Sequence, residues 1–241
     1  MHVILVETCN SWICGKNKED DSALSHLVDI YSNGYEHLGQ ASKEEAHANG
    51  LWHRVFTCLV VNSRNKSVIL QKKVPDKYIF NRPDYIDVSV GGHYKAGEAL
   101  EDGIRELDEE LGLRRQFDEL ISIGVRQTSA TLAPNYINNE FQHIFLLDEK
   151  RDLEYYKPSS EEVSGLVEIQ IEDGIKLLLR QREQIAGKFV SFANDPQSKL
   201  HIQITTEDFV PNYLKTDQFF LRLFVAAHRY ISADNVDLLF W

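Results

Sequence analysis

The chain has 241 residues, 43% of them hydrophobic and 26% charged, a size and composition that suit one large soluble domain with its own core. A net charge of −11 and a pI near 5.3 argue against nucleic acid or an anionic membrane as partner, since both call for a basic surface. A phosphorylated small molecule stays open, because metal ions screen carboxylates from phosphates. Cys9, Cys14 and Cys58 are odd in number and lack paired ligand spacing, so a reduced, cytoplasmic setting is expected rather than a disulfide framework. The first residues lack a basic, then apolar, leader pattern, and no apolar run approaches the roughly twenty residues of a membrane span.

Residues 1–23 read as an N-terminal extension, with a short strand from His2 to Val6 and then a polar run. A domain over 24–235 follows. Leu27–Tyr31 and Tyr35–Leu38, split by Ser32-Asn33-Gly34, read as a hairpin, because Asn-Gly supplies the positive φ of tight turns. Ser42-Lys43-Glu44-Glu45 is a capping box opening a short helix that Asn49-Gly50 closes. His53–Val61 and Ser67–Lys72 are strand-like, joined by a turn at 62–66. A loop rich in aromatic and basic side chains spans 73–85, and Ile86–Val90 is a short strand running into Gly91-Gly92. After a central helix, Ile121–Gln127 and Phe141–Leu147 read as strands around a loop at 128–139. Ser160–Ile171 gives another strand, Glu172–Arg182 a helix, 183–198 a loop, and Thr206–Ile231 an amphipathic, aromatic-rich helix. Strands before and after a central helix, with helices outside, make an α+β fold.

The central helix carries the chemistry. Arg105-Glu106-Leu107-Asp108-Glu109-Glu110-Leu111-Gly112-Leu113 crowds four carboxylates into five positions, and like charges at helical neighbour positions repel. At about 100° per residue, Glu106, Glu109 and Glu110 share one face while Leu100, Ile104, Leu107 and Leu111 form a buried stripe on another. Clustered hard oxygen donors suit Mg2+ or Mn2+; a solvated acidic face carries the same pattern. Gly91-Gly92 lets backbone approach a ligand closely, and Gly112 ends the helix as a left-handed cap.

With its glycines, the stretch from Gly92 to Leu113 resembles the Nudix box of hydrolases that cleave nucleoside diphosphates linked to another group. Gly92 and Glu98 fit the first half of that pattern, and Arg105 to Leu113 match the second half at every position. Residues 99–104 separate Glu98 from Arg105, one fewer than the family has. A deletion inside a helix rotates what precedes it by about 100°. The helix is therefore expected to start one residue later, with the loop absorbing the change. The resemblance implies the Nudix fold, a mixed sheet between helices in an α/β/α sandwich.

A wider resemblance runs over EEAHANGLWHRVFTCLVVN (44–62), VILQKK (68–73), YIDVSVGGHYKAGE (85–98), NNEFQHIFLL (138–147) and EEVSGLVEI (161–169). These are similar to the Nudix subgroup of type I isopentenyl diphosphate isomerases and the hydrolases close to them. The segment 205–224 resembles the tail of some of those hydrolases. In the isomerases a cysteine serves as an acid/base group in proton transfer, while histidines and glutamates hold a divalent metal. Here His93, His47 and His53 are similar to the three histidines and Glu140 to the second downstream glutamate, while Asn138 replaces the first. Gly91 stands where the isomerase has its cysteine. Without that group one arm of the proton transfer is missing, and each such arm contributes about 10²–10⁴-fold. A hydrolase of the isomerase-like branch is thus implied ahead of an isomerase, or of a nucleotide-binding Nudix domain with weak turnover.

For a hydrolase, the resemblance makes Glu106, Glu109 and Glu110 metal ligands, with the Gly92 carbonyl and Glu98 as further oxygens, for Mg2+ or Mn2+. Arg105 is expected to fix a carboxylate rotamer; an ordinary surface ion pair is the alternative. Glu140 is the first choice for general base, with Glu106 second. His93 lies near metal or phosphate, and Lys72 and Arg82, with Arg54, Lys73 and Lys77, are candidates to hold the diphosphate; a solvated basic rim reads equally well. Tyr78, Phe80 and Tyr85 are candidates to stack on a base, or simply loop packing. For His47 and His53 plain packing is the preferred reading. The expected partner is a small phosphorylated substrate, with specificity in loops 73–85, 128–139 and 183–198. Many relatives are dimers, which keeps a homodimer in view.

Overall fold

The structure, a computed structural model, describes residues 26–74, 85–158, 162–192 and 199–232. The N-terminal extension, Cys9 and Cys14, and Lys77, Tyr78, Phe80 and Arg82 of the basic loop lie outside these residues.

Strand β3 (Trp52–Asn62) is the spine of the sheet. From His53 to Val61 it pairs in parallel with β8 (Tyr136–Asp148), setting His53 opposite Glu140. On its other side it pairs antiparallel with β6 (Val90–His93) and then with β4 (Ser67–Lys73). The hairpin β1 (Leu27–Tyr31) and β2 (His37–Ser42) joins at its start. Beyond β4 lie β9 (Val163–Gln170), β10 (Ile185–Ser191) and β11 (Lys199–Ile204), while β5 (Ile86–Asp87) pairs β4 and β7 (Ile121–Ala133) pairs β8.

Period-two alternation along β3 fills two cores. Phe56, Cys58 and Val60 pack with Leu107 and Leu111 of the box helix α2 (Arg105–Leu111) on one face. Leu59 and Val61 pack on the other with α3 (Ile171–Leu178) and α5 (Phe219–Ile231), which follows α4 (Pro211–Lys215). The α+β fold, a mixed sheet with helices on both faces, is therefore the one expected. Helix α1 (Lys43–Asn49) is capped as its sequence dictates: Ser42 Oγ accepts from the Glu45 amide, and Gly50 is left-handed with φ 62°. Among the described residues no helix is long and apolar enough to cross a membrane.

Several boundaries differ from the sequence expectation. The first hairpin forms, but Tyr35 takes the positive φ (70°) in place of Gly34, and β2 begins only at His37. Gly91 and Gly92 are strand residues, each paired to β3. The loop at 128–139 is instead the tip of a long β7–β8 hairpin, turned at Pro134-Asn135 with Asn135 at φ 61°. Polar Thr and Ser alternating with small residues hide a strand whose outer face is wet. Likewise 185–191 is strand, and β11 follows it. The C-terminal helix is broken, because Gln218 is left-handed at φ 56°.

Candidate active site

Helix α2 crosses directly over β6, and the contact explains Gly92. A Cβ at that position would lie 2.1 Å from Cδ of Glu106. The glycine is there to admit the carboxylate. The missing residue upstream is absorbed by a 3-10 turn, Glu101–Ile104, which leads into the α-helix only at Arg105. The acid spacing from Glu106 onward is undisturbed, and Gly112 caps the helix at φ 65°.

Arg105 is the hub of the box. Its Nε donates to Glu98 Oε1 (2.8 Å), Nη1 to Glu106 Oε1 (2.6 Å) and Glu109 Oε2 (2.9 Å), and Nη2 to the His93 carbonyl (2.8 Å). One planar guanidinium thus orders three carboxylates, as its fork of donors permits. Glu98 is consumed by this role: its second oxygen accepts from the Lys95 amide (2.7 Å) and again from Arg105 (3.2 Å), and it does not line the cavity. Glu110 is buried and accepts from Lys73 Nζ, from Gln71 Nε2 (3.0 Å) and from the Gly91 amide (3.0 Å). Glu109 is half exposed. Burial pushes the Glu106 carboxyl up to about 7, with Arg105 opposing and Glu110 and Glu109 adding repulsion. Burial also raises Glu110, against the pull of Lys73.

A cavity of about 680 Å³ collects these groups. Its walls include Glu106, Glu109, Glu110, Arg105, His93 and Glu140, together with Lys73 and Tyr85. Two expected substrate contacts stand elsewhere. Lys72 extends over the Phe189 ring, 5.8 Å from its centroid, and does not line the cavity. Arg54 is packed between Tyr31 and Tyr94 and donates to the Glu98 carbonyl. Glu140 does not follow a flexible loop; it sits within β8, buried, with its Oε2 accepting from Gln142 Nε2 at 2.7 Å.

His47 and His53 pack as expected, and they carry more than packing. His47, His53 and His93 pack ring to ring, with centroids 4.9 to 5.3 Å apart, and His47 also stacks on Tyr136. Packing is half of the description only. Both nitrogens of His47 and Nε2 of His53 and of His93 are buried without a hydrogen-bond partner, and each such orphan costs about 1–3 kcal/mol. The trio offers three ligand atoms within 4.8 Å of one another, the single such group among the described residues. His53 Nδ1 donates to the Leu51 carbonyl at 2.8 Å, which leaves Nε2 as the bare acceptor a metal would use. Burial lowers all three, His47 to about 4, so the rings are neutral, as ligation requires.

Asp29 of β1 was not anticipated from sequence. It accepts from the Gly97 amide at 2.9 Å and so fixes the turn that delivers Glu98 to Arg105. Burial alone would raise its pKa, but the Gly97 amide, Gln40 and His37 hold it below the usual carboxylate range. No local motif marks this residue, because its partner lies 68 positions away.

The NUDIX domain profile matches residues 51–190. An uncharacterized Nudix hydrolase of Clostridium acetobutylicum is 36% identical over 189 residues, which is 77% of this chain and 90% of that protein. An isopentenyl-diphosphate Delta-isomerase of Photorhabdus laumondii is 32% identical over 121 residues, covering 50% of this chain and 63% of the isomerase. A solved structure from Deinococcus radiodurans aligns at TM-score 0.46 and 22% identity, over 64% of this chain and 88% of that one, and adds nothing to the assignment. The profile spans more than half of the sequence and the Clostridium relative is matched over nine-tenths of its length, so this chain belongs to the Nudix family.

Proposed function

We propose that the protein is a metal-dependent hydrolase that cleaves a diphosphate linkage in a nucleoside diphosphate derivative or a related small phosphorylated compound. The observation that carries this reading is one cavity lined by the three box glutamates, by His93 and by Glu140. A solvated acidic face does not fit, since Glu106 is 7% and Glu110 2% exposed. Two donor sets fit divalent cations: the box carboxylates Glu106, Glu109 and Glu110, and the unpartnered nitrogens of His47, His53 and His93. A Mg2+ or Mn2+ ion held by the carboxylates would offset diphosphate charge and acidify water.

The chain's own groups supply the rest. Arg105 keeps Glu106 and Glu109 in register, and Lys73 does so for Glu110. Glu140, held by Gln142, accepts the proton of the attacking water. As the water oxygen bonds to phosphorus, the bridging P–O bond breaks and its electron pair leaves with the departing phosphate or nucleoside monophosphate. An isomerase reading lacks its thiol acid: Cys58, the one described cysteine, is fully buried on β3 and does not line the cavity.

The test is a panel of nucleoside diphosphate sugars, dinucleoside polyphosphates and prenyl diphosphates with Mg2+ and Mn2+. Phosphate or nucleoside monophosphate should appear, and Glu109→Gln or Glu110→Gln should lower kcat by orders of magnitude in folded protein. Equal turnover by the wild type and the double variant defeats the reading. Deuterium exchange into isopentenyl diphosphate without any hydrolysis would favour the isomerase instead.

A further inference from the structure

We infer that the C-terminal segment takes part in catalysis through a relay, Asp217 to Arg126 to Gln142 to Glu140, in which Arg126 is a positioning residue. The inference rests on the reading of Glu140 as base. Arg126 on β7 is 3% exposed, yet it lines the cavity. Its guanidinium forks onto Asp217, with Nε to Oδ2 at 2.7 Å and Nη2 to Oδ1 at 2.9 Å. Its centre lies 4.3 Å from the Phe219 ring centroid and 5.3 Å from that of Tyr213. Asp217 sits at the break between α4 and α5, beside left-handed Gln218, so the broken helix is what presents it to β7.

The remaining guanidinium nitrogen sets the polarity of a glutamine. Gln142 faces Arg126 across the β7–β8 ladder, and its Oε1 accepts from Nη1 at 2.7 Å. A glutamine side chain can present either its oxygen or its NH2 group to a neighbour. Arginine has donors only, so it claims the oxygen and forces the NH2 toward Glu140, where Nε2 donates to Oε2 at 2.7 Å. Were the amide flipped, an oxygen would confront the carboxylate and drive it out of place. Asp217 in turn supplies the counter-charge without which a buried guanidinium would not keep this position. The side chain of β8 is therefore aimed by a residue 77 positions downstream of Glu140 in the chain.

The experiment uses the full chain with Mg2+ and the most rapidly hydrolysed compound of the panel. Arg126→Gln tests the relay directly. Asp217→Asn, at a partly exposed site, serves if that variant fails to fold. Each should lower kcat on the order of 10²-fold, the effect of a misplacement of about 1 Å, with KM little changed. Arg126→Lys, which restores a donor but no fork, should recover part of the loss. In a Glu140→Gln background the same substitutions should have almost no further effect. Full additivity with Glu140→Gln, or a loss confined to KM, overturns the relay. If Glu140→Gln by itself leaves kcat intact, the base assignment is what fails. The relay is then judged by hydrogen exchange of the Gln142 side-chain amide. Exchange that is slow in the wild type and fast in Asp217→Asn sustains it, and exchange unaffected by Asp217→Asn removes it.

Discussion

Gly92→Ala adds one methyl group at the point where β6 meets the box helix. The new carbon would stand 2.1 Å from both Cδ and Oε1 of Glu106 and 2.4 Å from Oε2. Carbon atoms settle at about 3.5–4.0 Å, so the carboxyl must retreat by more than about 1 Å. That movement breaks the 2.6 Å bond from Arg105 Nη1 and takes Glu106 away from the cavity wall it shares with Glu109 and Glu110. A displacement of this size at a reacting site lowers kcat by on the order of 10²-fold, while the overpacking itself costs about 1–3 kcal/mol of stability. Gly91→Ala is the internal control. Its Cβ would meet nothing closer than Val88 Cγ2 at 3.4 Å, an ordinary contact. The assay pairs turnover with calorimetric titration of Mn2+ and thermal unfolding of both variants. Gly92→Ala should lose turnover and metal affinity with a modest fall in Tm, and Gly91→Ala should lose neither. Wild-type kcat and metal affinity in Gly92→Ala, or equal losses in both variants, would refute the steric reasoning.

Other expectations come from the same geometry. Arg105→Lys keeps the charge but cannot bridge Glu98, Glu106 and Glu109 at once, so kcat should fall about 10–100-fold; unchanged kinetics would reduce the arginine to a surface ion pair. In metal-free protein, Glu106 titrates near 7 instead of 4.5, chiefly because it is buried. A raised carboxylate contributes stability that is complete below its unfolded value and is lost as pH climbs through the folded one. Urea stability of the metal-free chain should therefore decline by about 3 kcal/mol between the two values, and an equal slope in Glu106→Gln would assign it to another group. Gly174→Ala, whose Cβ would lie 2.0 Å from Phe224 Cε1, should separate α3 from α5 and lower stability by about 1–3 kcal/mol, with turnover per folded molecule retained; an unchanged Tm would mean the helices can part without strain.

The fold was legible where local chemistry decides it. Ser42 and Gly50 bound α1 as caps must, and the strict alternation of Phe56, Cys58 and Val60 against Leu59 and Val61 declares a strand buried on both faces. It was illegible where long-range pairing overrides local preference. Residues 128–139 carry loop-like composition, yet thirteen-residue β7 and β8 pair through them as one hairpin whose base is held where Glu140 to Asp148 of β8 lie along β3. The break in the C-terminal helix is the same lesson in reverse: continuous helical periodicity runs through Gln218, while tertiary contacts bring Asp217 to Arg126.

The box itself could be read from sequence because its spacing is local and its glycines are sterically forced. Its partners could not. Gln71 and Lys73 reach Glu110 from β4, Asp29 secures the Gly97 turn from β1, and neither connection leaves a periodic trace. The short spacer is the instructive case. A residue removed from an α-helix would have turned Glu98 away from the acids, but the first turn is wound as a 3-10 helix and Glu98 still meets Arg105 through two bonds. The histidines make the complementary point. The sequence favours packing for His47 and His53 and sets His93 near metal or phosphate; all three rings do pack together, and only the structure reveals that four of their nitrogens have no protein partner. Buried polar atoms are normally satisfied, so a cluster of four orphans beside an acid-lined cavity argues for a ligand that the polypeptide does not itself provide.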